Sequence, residues 1–339
     1  MNNISWRISG TAVQGLCHLN ENIPCQDKIF SLIENGVTAI ALADGAGSAV
    51  MSHYGADLVV KTICQKLCSD FNQFINTENS DEVRKILLET ILYRLSSLAS
   101  KLDCKINDLA STLLAVASDG ENILIVHIGD GIICCFKDGK MLPASLPDNG
   151  EFKNETFFVT SPYIFHRMRL SKGKIAGISG IVLMSDGTDE VFYDRQEKKF
   201  ASLLNEIKQN CMIYPEDKNN MALEELFCNT VRYHTHDDCS LIIMCRPDEY
   251  FRGYRDLDVN TQNYFLCAKD VEGRENREKV FSIFSGNESM SHRSIIKSAC
   301  KLGLKRKQTC GLIRDLCKNG FIECVKIFPR RRYKIKFCY

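Results

Sequence analysis

The sequence predicts an α+β sandwich followed by a small, basic module of helices and a hairpin. Two observations lead to this. The apolar periodicity runs as strands, two helices, strands, two helices and one strand, which favours segregated layers over an alternating parallel sheet. Residues 274–339 then change character, with 17 Lys and Arg against 5 Asp and Glu, a balance of +12 that leaves −11 on the remainder of a chain of net charge +1. A basic tail on an acidic body points to an acidic partner for the tail.

Taken in order, residues 6–13 alternate as a strand, and 18–24 read as a polar loop ending at Pro24. Strands are expected at 28–33 and 37–42, joined by the turn signal Glu34-Asn35-Gly36. Helices follow at 54–71 and 81–102, the second capped by Ser80 or Asp81. Strands at 111–117 and 123–128, then at 132–136 and 141–142, form two hairpins around Asp119-Gly120 and Asp138-Gly139. Residues 143–156 read as loop, 157–160 as a short β-like stretch, 178–184 as a strand, 200–211 and 221–233 as helices, and 239–245 as the closing strand. The polar stretch 246–274 reads as a linker. In the tail, helices at 294–302 and 308–318, the latter stopped by Asn319-Gly320, precede strands at 321–328 and 333–337. Helix, turn, helix and basic hairpin outline a winged helix-turn-helix. The resulting domains are 1–247, a linker at 248–273, and 274–339.

With 45% hydrophobic and 25% charged residues, the 339-residue chain has the composition of a globular protein that buries a full core. Its 17 cysteines are scattered, mostly inside apolar runs, with no CxxC pair. They read as reduced thiols of a cytoplasmic protein. Residues 1–10 are too polar for a signal peptide, and no run reaches the ~18 apolar residues of a membrane span.

Four acidic motifs abut apolar runs. Ala43-Asp44-Gly45, Gly129-Asp130-Gly131 and Ser185-Asp186-Gly187 each follow one, and His236-Asp237-Asp238 precedes one. Alone, each is an ordinary turn, since Asp and Gly are favoured there for backbone reasons. Together they bring carboxylates to several strand ends, where they repel one another unless cations lie between them. Oxygen-only ligands suit Mg²⁺ or Mn²⁺. Asp44 is the candidate bridging ligand, with the Gly45 carbonyl beside it, and Asp186 and Asp237 complete one ion. A water activated between two such ions attacks phosphorus.

The order Pro24-Cys25-Gln26-Asp27, Ala43-Asp44-Gly45-Ala46-Gly47-Ser48, Gly129-Asp130, Ser185-Asp186-Gly187 and His236-Asp237-Asp238-Cys239-Ser240 resembles the metal-dependent type 2C (PPM-type) serine/threonine protein phosphatases, in particular their bacterial branch. The resemblance covers about residues 5–246. It implies an αββα sandwich of two antiparallel sheets flanked by helices, two Mg²⁺ or Mn²⁺ ions, and a metal-bound hydroxide that hydrolyses phosphomonoesters of a phosphoprotein made by a partner kinase. By position, Asp27 and Gln26 fall at the second ion, and Asp130, with Asp189 or Glu190, at a loosely held third. Three departures stand out: Gln26 where many members have Glu, Ala46 where many have a histidine, and no arginine near Asn22 and Pro24, a gap that His18 or His53 could fill.

In the tail, Lys305, Arg306 and Lys307 begin the expected recognition helix, and Arg330, Arg331 and Arg332 form the wing tip. These residues suit DNA or an acidic protein surface. The leading reading is thus a metal-dependent phosphoprotein phosphatase targeted or regulated by its tail. The departures support a second one, a pseudophosphatase that senses phosphoproteins or regulates through DNA. Metal-dependent turnover separates the two.

Overall fold

The computed structural model describes residues 6–147, 156–214, 216–246, 259, 262–263, 266, 268–284, 289–318, 321–325 and 331–335. The chain divides into two units, Met1–Cys211 with Pro215–Arg246, and Met212–Tyr214 with Pro247–Tyr339.

The first unit holds two five-stranded antiparallel sheets. One has the order β1 (Arg7–Val13), β12 (Cys239–Cys245), β9 (Ile178–Met184), β6 (Ile132–Lys137) and β7 (Lys140–Ser145). The other runs β2 (Lys28–Glu34), β3 (Val37–Ala43), β4 (Leu113–Ser118), β5 (Asn122–Ile128) and β8 (Arg169–Lys174). Strand β3 shows how the layers form. Every residue in it is buried, and side chains alternate between faces. Ile40 and Leu42 meet Ile133, Leu183, Ile242 and Met244 of the opposite sheet. Ala39, Ala41 and Ala43 face the other way, and their small size lets helix α2 (Ser52–Asn76) close over them with Val59, Ile63 and Leu67. Helix α3 (Ser80–Leu102) adds Val83, Leu87 and Ile91 to that layer. On the outer face of the first sheet, α7 (Glu216–Asn229) packs on β1, where Asn220 Oδ1 accepts from the Gly10 N–H at 2.9 Å. Two antiparallel sheets flanked by helices therefore make the body of the protein.

Several expectations are corrected here. The stretch 18–24, read as loop, begins inside helix α1 (Leu16–Glu21), which is closed by Asn22 at φ 55°. Asn79, not Ser80 or Asp81, caps α3, accepting from the Asp81 N–H. The stretch 157–160 is not a strand: Val159 donates one bond to Ser111 O, and Phe158 packs on Ala46, Ala49 and Ala110. Strand β7 continues to Ser145, inside the expected loop. Helices α4 (Ile164–Arg167) and α5 (Asp186–Phe192), strand β8 and the short pair β10 (Tyr193–Asp194) and β11 (Lys199–Phe200) were not anticipated. Helix α6 spans Leu203–Ile213.

The second unit contains α8 (Val271–Ser282), β13 (Met290–Ser291), α9 (His292–Lys301), α10 (Arg306–Lys318), β14 (Ile322–Val325) and β15 (Arg332–Ile335). The three strands form an antiparallel sheet in the order β13-β15-β14. Gly303, at φ 85°, makes the turn between α9 and α10. Val280, Phe281, Ile295, Ala299, Leu316 and Phe321 fill the core, with Phe281 and Phe321 edge to face at 5.9 Å. Both predicted helices begin two residues early, α9 because Ser291 caps it through the Ser294 N–H. Helix α8 begins inside the stretch read as linker. The rest of that stretch falls largely outside the described residues, as do the Asn319-Gly320 stop and the outer ends of both tail strands. Among the described residues no helix is long and apolar enough to cross a membrane.

Candidate metal centre and basic surface

Strand register brings the carboxylates together. β2 pairs with β3 through Lys28 and Ala43, so Asp27 and Asp44 flank the same end of that ladder. β4 pairs with β5 through Leu113 and Ile128, so Asp130 lies at that end too. Thr112 fixes Asp44 from the neighbouring strand: its N–H donates to Asp44 O at 2.8 Å, and its Oγ1 accepts from the Asp44 N–H at 2.9 Å. In the other sheet β12 pairs with β9 through Leu241 and Met184, which puts Asp186 beside Asp237. Ser185 and Ser240 tie these two ends, the Ser185 N–H donating to Ser240 O at 3.2 Å and the Ser240 N–H to Ser185 Oγ at 3.0 Å.

Two clusters result. Carboxylate oxygens of Asp44, Asp130 and Asp186 all lie within 4.8 Å of one another. A ring nitrogen of His18 and carboxylate oxygens of Asp237 and Asp238 form a second group within the same limit. Asp237 also acts on the first group. Burial, followed by the charges of Asp27, Asp186, Asp237 and Asp130, holds the Asp44 carboxyl well above the usual range. Burial, then Asp130, Asp237 and Asp27, does the same to Asp186. Burial pushes Asp27 up to about 7, with Asp238 adding to it and the hydroxyls of Ser240 and Ser185 opposing.

The donor set fits a divalent cation. Among the described residues no Lys or Arg pairs with Asp27, Asp44, Asp130, Asp186 or Asp237. Both carboxylate oxygens of Asp27 and Oδ1 of Asp130 are buried without a hydrogen bond of good geometry. Unbonded carboxylate oxygens facing like charges are costly, and a cation among them removes that cost. The donors are oxygens, which match Mg²⁺ or Mn²⁺.

Other expected residues have different neighbours. Gly45 makes an isolated bridge to Ser111, and a Cβ on it would lie 2.8 Å from that of Ser52. Gln26 is buried, and its backbone N–H donates to Asp238 Oδ2 at 2.6 Å. Asp189 is paired with Arg195, whose NH2 lies 3.1 and 2.9 Å from its two oxygens, and it also feels the charge of Asp130. The Ala46 N–H is bonded to Ala110 O and is not free for an anion. His53 lies against Tyr54, with ring centroids 4.1 Å apart and the rings tilted by 39°.

Sequence reasoning missed two residues. Asp238 is 1% exposed, accepts from the Gly15 N–H at 2.7 Å as well as from Gln26, and stands 3.0 Å from His18 Nδ1. Gly15 is required there, since a Cβ would come within 2.5 Å of Asp237 O. His127 is buried with Nε2 3.0 Å from Gly129 O and Nδ1 2.7 Å from Ser145 Oγ. Burial, helped by the Arg169 charge, lowers its pKa to about 3, so the ring is neutral and braces the turn that carries Asp130. Its polar contacts inside an apolar strand left no signal in the sequence.

Asp27 gives a pH prediction for metal-free protein. Its folded pKa of about 7 exceeds the unfolded value, so its stabilising contribution is complete below ~4 and lost as pH rises through 7. With chelator present, Asp27→Asn should melt several degrees above wild type at pH 8 and close to it at pH 5. Equal differences at both pH values would contradict the assigned ionisation.

In the second unit Lys305, Arg306 and Lys307 are exposed at the start of α10, and Arg331 and Arg332 are exposed beside β15. Arg332 is held by Ser289, its Nε 3.1 Å from Ser289 Oγ and its NH2 2.9 Å from Ser289 O. Arg330 lies outside the described residues. A concavity of about 1020 Å³ gathers Arg306 and Arg331 with Arg293 and Lys297 of α9, which the sequence did not single out.

Comparisons with known proteins bear on the first unit. The family model of protein phosphatase 2C matches residues 14–227. Serine/threonine-protein phosphatase 3 of Escherichia coli K12 is 30% identical over 163 residues, which cover 46% of this chain. The chain spans about 64% of the length of that relative. A sex-determining protein of C. elegans superposes with a TM-score of 0.52 at 17% identity, covering 72% of this chain and 66% of its own. A variant of a bacterial serine phosphatase superposes with a TM-score of 0.50 at 14% identity, covering 71% of this chain and 99% of its own. These structures share the fold of two antiparallel sheets flanked by helices. The family model, over 14–227, takes in Asp27 and the clustered Asp44, Asp130 and Asp186 and ends before Asp237; the chain belongs to the protein phosphatase 2C family.

Proposed function

We propose that the protein is a metal-dependent serine/threonine phosphoprotein phosphatase with a C-terminal winged helix-turn-helix-like module that targets or regulates it. The observation that carries the first half is the meeting of Asp44, Asp130 and Asp186 within 4.8 Å without a cationic partner among the described residues. Mg²⁺ or Mn²⁺ held there supplies neutralisation of phosphoryl oxygens and acidifies water. Asp44, with Gly45 beside it, would be the residue shared by two such ions. Asp186 and Asp237 would hold one of them, Asp27 and Gln26 the other, and Asp130 a third. Thr112 holds the Asp44 backbone and His127 the Gly129 carbonyl next to Asp130, which fixes the strand ends from which these carboxylates project.

For the module, support comes from the order of α8, β13, α9, α10, β14 and β15 and from their single antiparallel sheet. We assign 1–247 to catalysis and 274–339 to targeting, with 248–273 between them. The substrate is a phosphoprotein made by a kinase, and the module's partner is acidic. The free thiols of all described cysteines support a reducing, cytoplasmic setting.

The test is Mn²⁺-dependent hydrolysis of p-nitrophenyl phosphate and of a phosphothreonine peptide. Turnover of both that vanishes with chelator is expected. Tight Mn²⁺ binding by calorimetry without turnover of either would replace the enzyme with a phosphoprotein sensor.

A further inference from the structure

We propose that the concavity between the start of α9, the start of α10 and β15 is the seat for the phosphate backbone of a DNA duplex. This rests on the reading of the second unit as a targeting module with an acidic partner. Four cations from three elements line the site, Arg293 and Lys297 on α9, Arg306 on α10 and Arg331 before β15, and its described lining includes no carboxylate. Ser294 and Tyr333 line the same space. Arg, Lys, Ser and Tyr side chains, together with helix N-termini, are the groups that hold the phosphates and sugars of duplex DNA.

The two helix starts are a second, independent indication. A helix N-terminus carries partial positive charge, and Asp or Glu in the first turn stabilises it. Neither α9 nor α10 has an acidic residue in its first turn. They open instead with His292-Arg293 and Arg306-Lys307, which oppose the dipole. Among the other long helices α3 begins with Asp81 and Glu82 and α7 with Glu216 and Asp217, while α2, which has no acidic residue in its first turn, has no Lys or Arg there either. Ser291 caps α9, but no carboxylate in either first turn offsets the positive charge that these two neighbouring helix ends bring to one cavity. An external anion spanning both restores the balance. The cations are spread over a cavity of about 1020 Å³, which suits a run of backbone phosphates more than a single phosphoryl group.

The experiment is fluorescence anisotropy of the full chain with a labelled mixed-sequence duplex at several salt concentrations. The wild type is compared with Arg293→Ala/Lys297→Ala, with the charge-conserving Arg293→Lys/Lys297→Arg, and with Lys305→Ala/Lys307→Ala, which lies outside the cavity. Thermal melts confirm that each variant is folded. The first double variant should bind at least tenfold more weakly, and its log–log salt slope should be shallower by about 1.8, the value for two lost phosphate contacts. The charge-conserving variant should stay near wild type. Duplex binding that depends on Lys305 and Lys307 and ignores Arg293 and Lys297 would overturn the cavity while leaving an acidic partner in place. No duplex binding by wild type, with a phosphopeptide or acidic peptide bound through Arg293 and Lys297, would overturn the DNA assignment. Wild type that binds neither removes the targeting reading as well.

Discussion

Asp44→Asn should reduce hydrolysis of p-nitrophenyl phosphate and of a phosphothreonine peptide by about 10³-fold or more, on the order of 4 kcal/mol of transition-state stabilisation. The side chain lies with Asp130 and Asp186 in one cluster and feels the charges of Asp27 and Asp237 as well. An amide there offers one neutral oxygen where the site needs an anionic one, and Mn²⁺ binding measured by calorimetry should weaken in step. Loss of activity by unfolding is separable, because the same change has the opposite effect on the metal-free protein. Burial, and then crowding by like charges, raises the Asp44 pKa, so a neutral amide avoids both costs. Asp44→Asn should therefore melt above wild type in chelator at neutral pH while being inactive in Mn²⁺. Retained activity would remove Asp44 from the ion site. Lost activity with a lowered metal-free melting temperature would make it a structural residue.

Much of this arrangement was legible in the sequence, for a physical reason. Apolar runs such as 123–128 and 178–184 end abruptly at Asp130 and Asp186, and a buried strand stops where the first carboxylate must reach solvent or an ion. Convergence of the ends was not legible. It follows from antiparallel register, which pairs Lys28 with Ala43 and Leu241 with Met184 over separations no local pattern encodes. Elements that carry little apolar signal were also missed. Strand β8 reads RLSKGK and is a half-exposed edge strand, and α8 buries only Asn276, Val280 and Phe281. The stretch 157–160 failed in the opposite way: Phe157, Phe158 and Val159 look like a strand, but their apolar surface is spent on packing rather than on a ladder. Helix α1 did leave a mark. Gly15 before it and Asn22 after it are its boundary residues, and weighing them against the polar sequence between would have revealed it.

Asp237 and Asp238 are adjacent carboxylates that no sequence pattern tells apart, and their substitutions should behave in opposite ways. Asp238 is buried and accepts the backbone N–H groups of Gly15 and Gln26, at 2.7 and 2.6 Å, while His18 Nδ1 stands 3.0 Å away. It thus clamps both ends of the segment that carries α1 and leads into Asp27. Hydrogen bonds to a charged group contribute roughly 1.5–3 kcal/mol each, so Asp238→Ala, which loses two, should destabilise the protein by about 3–6 kcal/mol. For a unit of this size that lowers the melting temperature by roughly 10 °C. The freed segment should also loosen Asp27, so Mn²⁺ affinity falls although no assigned ligand has been changed. Asp238→Asn keeps an acceptor oxygen and should lie between wild type and Asp238→Ala on both measures. Asp237→Ala should do the reverse, abolishing activity while leaving the melting temperature in chelator equal to or above that of wild type, since it removes a like charge from Asp44 and Asp186. Hydrogen exchange at residues 15–27 provides the local readout, with protection lost in Asp238→Ala and kept in Asp237→Ala. If both variants melt alike and exchange alike, the two carboxylates share one role and the clamp does not exist.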